Sequence, residues 1–139
     1  MEIGKIPQAA SKSPSLRILV VDDESLIRWS LAETLSESGH LVSEAGDAET
    51  ALRKVTDADG SFDVVVLDYH LPDSHDLALL SQIRKVMPTA SVIMMTAFGT
   101  PEISDAALRI GAYRVVPKPF EVHDIADLVL EAHAAARSH

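Results

Sequence analysis

Short apolar runs alternate along this chain with longer stretches whose apolar positions recur every three or four residues. The pattern predicts strands over 16–21, 41–45, 62–67, 92–95 and 114–116. It predicts helices over 24–38, 48–57, 75–86, 101–110 and 122–136. The first helix should turn Ile27, Leu31, Thr34 and Leu35 inward, and the last Val122, Ile125, Val129 and Ala132. Punctuation agrees with these bounds. Gly39 is placed for a left-handed cap after the first helix, and Gly111 ends the fourth. Asp47 is a capping residue for the second helix, and Thr100-Pro101 sets a capping hydroxyl before a proline at the first helical position. The run over 62–67 is apolar at successive positions, as in a strand covered on both faces. Five strand–helix alternations predict an α/β fold, a parallel sheet with helices on both faces. Residues 1–15, rich in serine and proline, read as a mobile tail. One domain follows over 16–136, with a short end at 137–139.

Composition narrows the class. A chain of 139 residues suits one domain with a single core. Aromatics make up 4% of it, so the core must be aliphatic. A formal net charge of -9 argues against direct nucleic-acid binding, because a duplex would repel such a surface. There is no cysteine, hence no disulfide framework and no thiolate zinc site. No apolar stretch approaches the ~20 residues needed to span a bilayer. No membrane association is expected, and a cytoplasmic location is the default expectation.

The chemistry gathers at strand ends. Asp22-Asp23 close the first apolar run, Asp68 closes the third, Thr96 the fourth, and Lys118 follows the fifth. In a parallel sheet these ends share one edge, where ligands of such folds sit. Carboxylates there offer hard oxygen ligands, which suit Mg²⁺. A carboxylate can accept a phosphoryl group as an acyl phosphate, and an ammonium and a hydroxyl can hold its oxygens. Taken singly, each residue has a plainer alternative. The doublet caps a helix, Asp68 caps a loop, Thr96 is a β-branched strand end, and Lys118 is a solvated loop lysine. Two carboxylates ~5 Å apart repel by roughly 3 kcal/mol at an effective dielectric of about 20, so a divalent ion should stabilise the cluster.

Five motifs together give the chain a family resemblance: Val21-Asp22-Asp23-Glu24, Leu67-Asp68, Leu71-Pro72, Met95-Thr96-Ala97 and Pro117-Lys118-Pro119-Phe120. In order and spacing they resemble the receiver domain of two-component response regulators, over about residues 16–136. Thr96-Ala97-Phe98-Gly99 and Val116-Pro117-Lys118-Pro119-Phe120 look closest to receivers of sigma-54-dependent AAA+ transcription activators. The resemblance implies a flavodoxin-like, doubly wound three-layer αβα fold with strand order 2-1-3-4-5. It implies Asp68 as phosphoacceptor for a sensor histidine kinase, with Thr96 and Lys118 on the phosphoryl oxygens. Mg²⁺ would be held by Asp22, Asp23, Asp68 and the backbone carbonyl of His70. Backbone N–H groups of Tyr69 and Ala97 are candidates to complete the cradle, and Lys118-Pro119 looks like the family's cis peptide. The implied output is a conformational switch acting on transcription. It would work by homodimerisation or partner docking through the helix 4–strand 5–helix 5 face, with an effector domain either in the same full-length chain or separate. Enzymatic ability would be limited to self-phosphorylation and self-dephosphorylation.

Two positions depart from the family pattern. Val115 stands where many receivers carry a switching aromatic, which leaves Phe98 and Tyr113 as substitutes. Asp76 stands where the family usually has glycine. Trp29 falls off the inward stripe of its helix and reads as a partly exposed surface residue. Met94 and Met95 read as core. Competing functions are a phosphorylation-independent receiver, a cobalamin-type module suggested by Asp68-Tyr69-His70, and an aspartate-based phosphatase, which lacks its second aspartate because His70 stands there.

Overall fold

The computed structural model describes residues 14–57, 61–74 and 76–137. Most of the predicted tail and the last two residues therefore lie outside the described residues, as does His75, the predicted start of the third helix. The described elements alternate throughout. They are β1 (Arg17–Val21), α1 (Ser25–Glu37), β2 (Leu41–Ala45), α2 (Ala48–Asp57), β3 (Val64–Asp68), α3 (Ala78–Val86), β4 (Ser91–Thr96), α4 (Pro101–Ile110), β5 (Arg114–Pro117) and α5 (Val122–Arg137). The strands form a parallel sheet in the order β2-β1-β3-β4-β5, as the resemblance implies.

Alternation along each strand splits the core into two layers. Leu19, Val21, Val65, Leu67, Val92 and Met94 face α2, α3 and α4. Ile18, Val20, Val64, Val66, Ile93 and Met95 face α1 and α5. Every residue of β3 and β4 is buried, which explains their continuous apolar runs. The inward stripes shift slightly from prediction. Leu31, Ala32 and Leu35 are buried on α1, while Ile27 and Thr34 are half-buried. Leu128 joins Ile125, Val129 and Ala132 on α5, and Val122 is half-buried. Trp29 is 57% exposed.

Helix ends follow local chemistry. Gly39 and Gly111 take φ of 96° and 129°, a region glycine enters without a Cβ penalty. Thr100 accepts the Ile103 N–H, and Asp47 accepts the Thr50 N–H. The third helix begins at Ala78, later than predicted. Leu71 and Ser74 close a reverse turn, exchanging backbone hydrogen bonds of 2.9 and 3.2 Å, and Asp76 then accepts the Ala78 N–H at 2.9 Å. Those bonds keep the segment after Asp68 out of the helix. The third strand begins at Val64 and includes Asp68, so the predicted run shifts by one at its functional end. His40 is buried and accepts the Leu16 N–H, and burial pushes its imidazole below the usual range. Among the described residues, no helix is long and apolar enough to cross a membrane.

Candidate functional site

Three strands end in the same local device. Asp22 follows β1, Asp68 ends β3 and Thr96 ends β4. Each bends its side-chain oxygen back to the N–H two residues on: Asp22 to Glu24 at 2.9 Å, Asp68 to His70 at 3.2 Å, Thr96 to Phe98 at 3.2 Å. A strand leaving its sheet exposes unpaired N–H groups, and short polar side chains satisfy them as turns. The cap uses one oxygen of each carboxylate and leaves the other to face the sheet edge. All three residues are buried, at 0%, 5% and 2% exposure.

Lys118 reaches the same point from the far strand. Its backbone N–H donates to the Thr96 carbonyl at 2.8 Å, which fixes the start of the turn. The following peptide, Lys118-Pro119, is cis. The Lys118 ammonium then donates to Glu24 Oε1 at 2.8 Å, Asp22 Oδ2 at 3.0 Å and Asp68 Oδ2 at 3.1 Å. It satisfies three carboxylates with its three N–H bonds.

Electrostatics follow from that count. Burial, then the charge of Asp22, pushes the Asp68 carboxyl up to about 6, against the pull of Lys118 and the His70 N–H. Burial alone would lower the Lys118 amine. Hydrogen bonds to Glu24 and Asp22 and the charge of Asp68 outweigh it, so the ammonium is held above its ordinary range. Both groups are charged at neutral pH, and three carboxylates face one ammonium.

Carboxylate oxygens of Asp22, Glu24 and Asp68 lie within 4.8 Å of one another, and this hard-oxygen set fits a small divalent cation. A cleft of about 360 Å³ opens above them, lined among others by Asp23, Glu24, Asp68, His70, Phe98 and Lys118. Of the residues expected together, Asp22, Asp68 and Lys118 meet through their side chains, and Thr96 joins them through its carbonyl, which accepts the Lys118 N–H. Asp23 lines the cleft but is exposed and stands outside the close carboxylate group. The Tyr69 N–H is already engaged with the Met95 carbonyl at 2.8 Å, so a phosphoryl oxygen would have to compete for it. Glu24 was missed. At the head of a helix an acid reads as a dipole complement, and its reach to Lys118 has no sequence signal.

The switch candidates differ in setting. Val115 is half-buried against the α2–α4 layer. Tyr113 donates its hydroxyl to Glu131 on α5 at 2.7 Å. Phe98 is 75% exposed, with its ring edge-on to His70 at 5.9 Å between centroids. Gly99 matters for a different reason: a Cβ there would stand 2.7 Å from Thr96 Cγ2.

Comparison with known proteins agrees with this geometry. The response regulator receiver domain model matches residues 18–130. The DNA-binding transcriptional regulator NtrC of Azospirillum brasilense is 36% identical over 115 residues, 83% of this chain and 24% of that protein. The chain spans about a quarter of the length of the NtrC relatives it matches. A CheY-like receiver domain protein from Methanospirillum hungatei superposes with a TM-score of 0.82 at 28% identity, covering 90% of this chain and 98% of that one. The CheX-CheY-BeF3-Mg²⁺ complex from Borrelia burgdorferi gives 0.77 at 26% identity, covering 84% of this chain and 87% of that one. With motifs, sheet order and strand-end cluster in agreement, the chain belongs to the response regulator receiver domain family of two-component systems, and its relatives include the receivers of NtrC-type sigma-54 activators.

Proposed function

We propose that this receiver takes a phosphoryl group onto Asp68 from a sensor histidine kinase in a Mg²⁺-dependent reaction, and so switches a transcriptional output. The observation that carries it is the contact of a buried strand-end carboxylate with a half-buried ammonium beside a second buried carboxylate. Asp68 Oδ2 is the oxygen aimed at Lys118 and is the candidate nucleophile. As the acyl phosphate forms, charge moves onto phosphoryl oxygens, where the Lys118 ammonium and the Thr96 hydroxyl can meet it. Asp22, Asp23, Asp68 and the His70 carbonyl would hold Mg²⁺, which would supply positive charge to offset that of the phosphoryl group. The Borrelia relative, described with BeF3 and Mg²⁺, supports a phosphoryl-like group and that metal in this fold.

Thr96 Oγ1 accepts the Phe98 N–H through a lone pair, so its own O–H can donate to a phosphoryl oxygen and tie that oxygen to the loop after β4. That loop leads into α4, so the phosphoryl group would bias the packing of α4, β5 and α5. Exposed Leu108 and Ile110 on α4 make that face suitable for a second copy or an effector. Phe98, Tyr113 and Val115 are the residues whose repacking would report it. The receiver would span 16–136 and act in the cytoplasm.

Phosphoramidate tests the acceptor chemistry, because its phosphorus–nitrogen bond matches that of phosphohistidine. With Mg²⁺, ³¹P NMR should show one new protein-bound resonance, removed by neutral hydroxylamine as an acyl phosphate must be. Absence of that resonance, or one that resists hydroxylamine, would overturn the proposal.

A further inference from the structure

We infer that Glu24 is a positioning residue for Lys118: it anchors the amine at the rim of the pocket and competes with the incoming phosphoryl group for it. The inference rests on the phosphoacceptor reading of Asp68.

Glu24 is the N-cap residue of α1, yet its side chain caps nothing in that helix. It reaches instead to Lys118, at 2.8 Å the shortest of that ammonium's three carboxylate contacts. The other two partners are committed to the reaction. Phosphorylation converts Asp68 to an acyl phosphate, and a cation would claim Asp22. Glu24 is neither consumed nor buried, with a side chain 57% exposed against 0% for Asp22 and 5% for Asp68. It is therefore the partner that remains when the other two are taken. An ammonium has three N–H donors, and all three are used by these carboxylates. Asp68 and Asp22 give up two of those donors as the phosphoryl group and the cation arrive, while Glu24 keeps the third and draws the ammonium toward the rim.

Two effects of opposite sign follow. The Glu24 charge favours a cation in the cleft it lines and disfavours an anion there. Its grip on Lys118 also withholds from the anion the amine that should receive it. A residue that only supports the turn would affect both ligands in the same direction.

Beryllofluoride, a phosphoryl mimic, separates these cases when titrated at saturating Mg²⁺ by ¹⁹F NMR into the parent and Glu24→Gln. Mg²⁺ alone is titrated in parallel by calorimetry. Glu24→Gln should bind beryllofluoride about two- to fivefold more tightly, the range for an exposed ion pair. Its affinity for Mg²⁺ alone should not rise. Unchanged or weaker beryllofluoride binding in the variant, or a parallel gain in Mg²⁺ affinity, would overturn the inference. Failure of the parent itself to bind beryllofluoride would overturn the phosphoacceptor reading, and the inference with it.

Discussion

Lys118 Nζ stands 3.1 Å from Asp68 Oδ2, although fifty residues separate them in the chain. The same nitrogen holds Asp22 and Glu24, so it is the counter-charge for the whole pocket. Removing it leaves buried carboxylates unopposed. Lys118→Ala should destabilise the fold at pH 7.5 by about 3 kcal/mol, the lower end for breaking a buried pair. Urea denaturation checks this. Lowering the pH to 5, or adding Mg²⁺, should recover much of the loss, since either neutralises the cluster. A loss indifferent to both would show that Lys118 acts through packing.

Asp68 titrates with the opposite sign to a salt-bridged surface carboxylate. Its carboxyl is raised from 3.8 to about 6 in the fold, so the folded state holds the proton more tightly than the unfolded chain. Its contribution to stability is therefore full below about pH 4 and is lost as pH rises to about 6. Asp68→Asn removes the charge and leaves Lys118 with Asp22 and Glu24. The variant should be more stable than the parent at pH 7.5, with a flatter pH profile between 4 and 6. Thermal melts across that window measure both. Equal slopes for parent and variant would contradict the placement of the proton.

Gly99 is required by Thr96. The Cβ of Gly99→Ala would meet the buried Thr96 methyl at 2.7 Å. Overpacking of this kind costs about 1–3 kcal/mol. Thr96→Ser removes that methyl and keeps the hydroxyl, so Gly99→Ala should cost clearly less in the serine background. A double-mutant cycle in urea provides the coupling. Additive costs would mean that the loop relaxes away from the strand end.

Asp73 ties the acceptor loop to a helix far from it in the chain. Its two carboxylate oxygens accept the Ala48 N–H at 2.8 Å and the Glu49 N–H at 3.1 Å, the first turn of α2. Asp73→Ala should lose about 1–2 kcal/mol, as for a lost helix cap. Amide exchange should quicken at Ala48 and Glu49 while the middle of α2 is spared. Unchanged exchange there would rule out the tie.

The fold was legible because burial on both faces writes β1, β3 and β4 as continuous apolar runs, and parallel pairing sends their ends to one edge. Asp22, Asp68, Thr96 and Lys118 could therefore be placed together by their positions alone. Glu24 could not, because only the turn begun by Asp22 points its side chain back at the pocket. Asp73 was hidden for a related reason: its partners are 25 and 24 residues away and are backbone groups, which carry no residue signature. The start of α3 shifted because Ser74 and Asp76 spend their hydrogen-bonding capacity on turns that compete with the helix.

The most direct test of the phosphoacceptor claim is intact mass after incubation with acetyl phosphate, for the parent and Asp68→Asn, with Mg²⁺ and with chelator. One phosphoryl addition is expected on the parent in Mg²⁺, and none on Asp68→Asn or with chelator present. Phosphorylation of Asp68→Asn to the same extent, or no addition to the parent in Mg²⁺, would contradict that claim and leave a receiver that works without phosphorylation at Asp68.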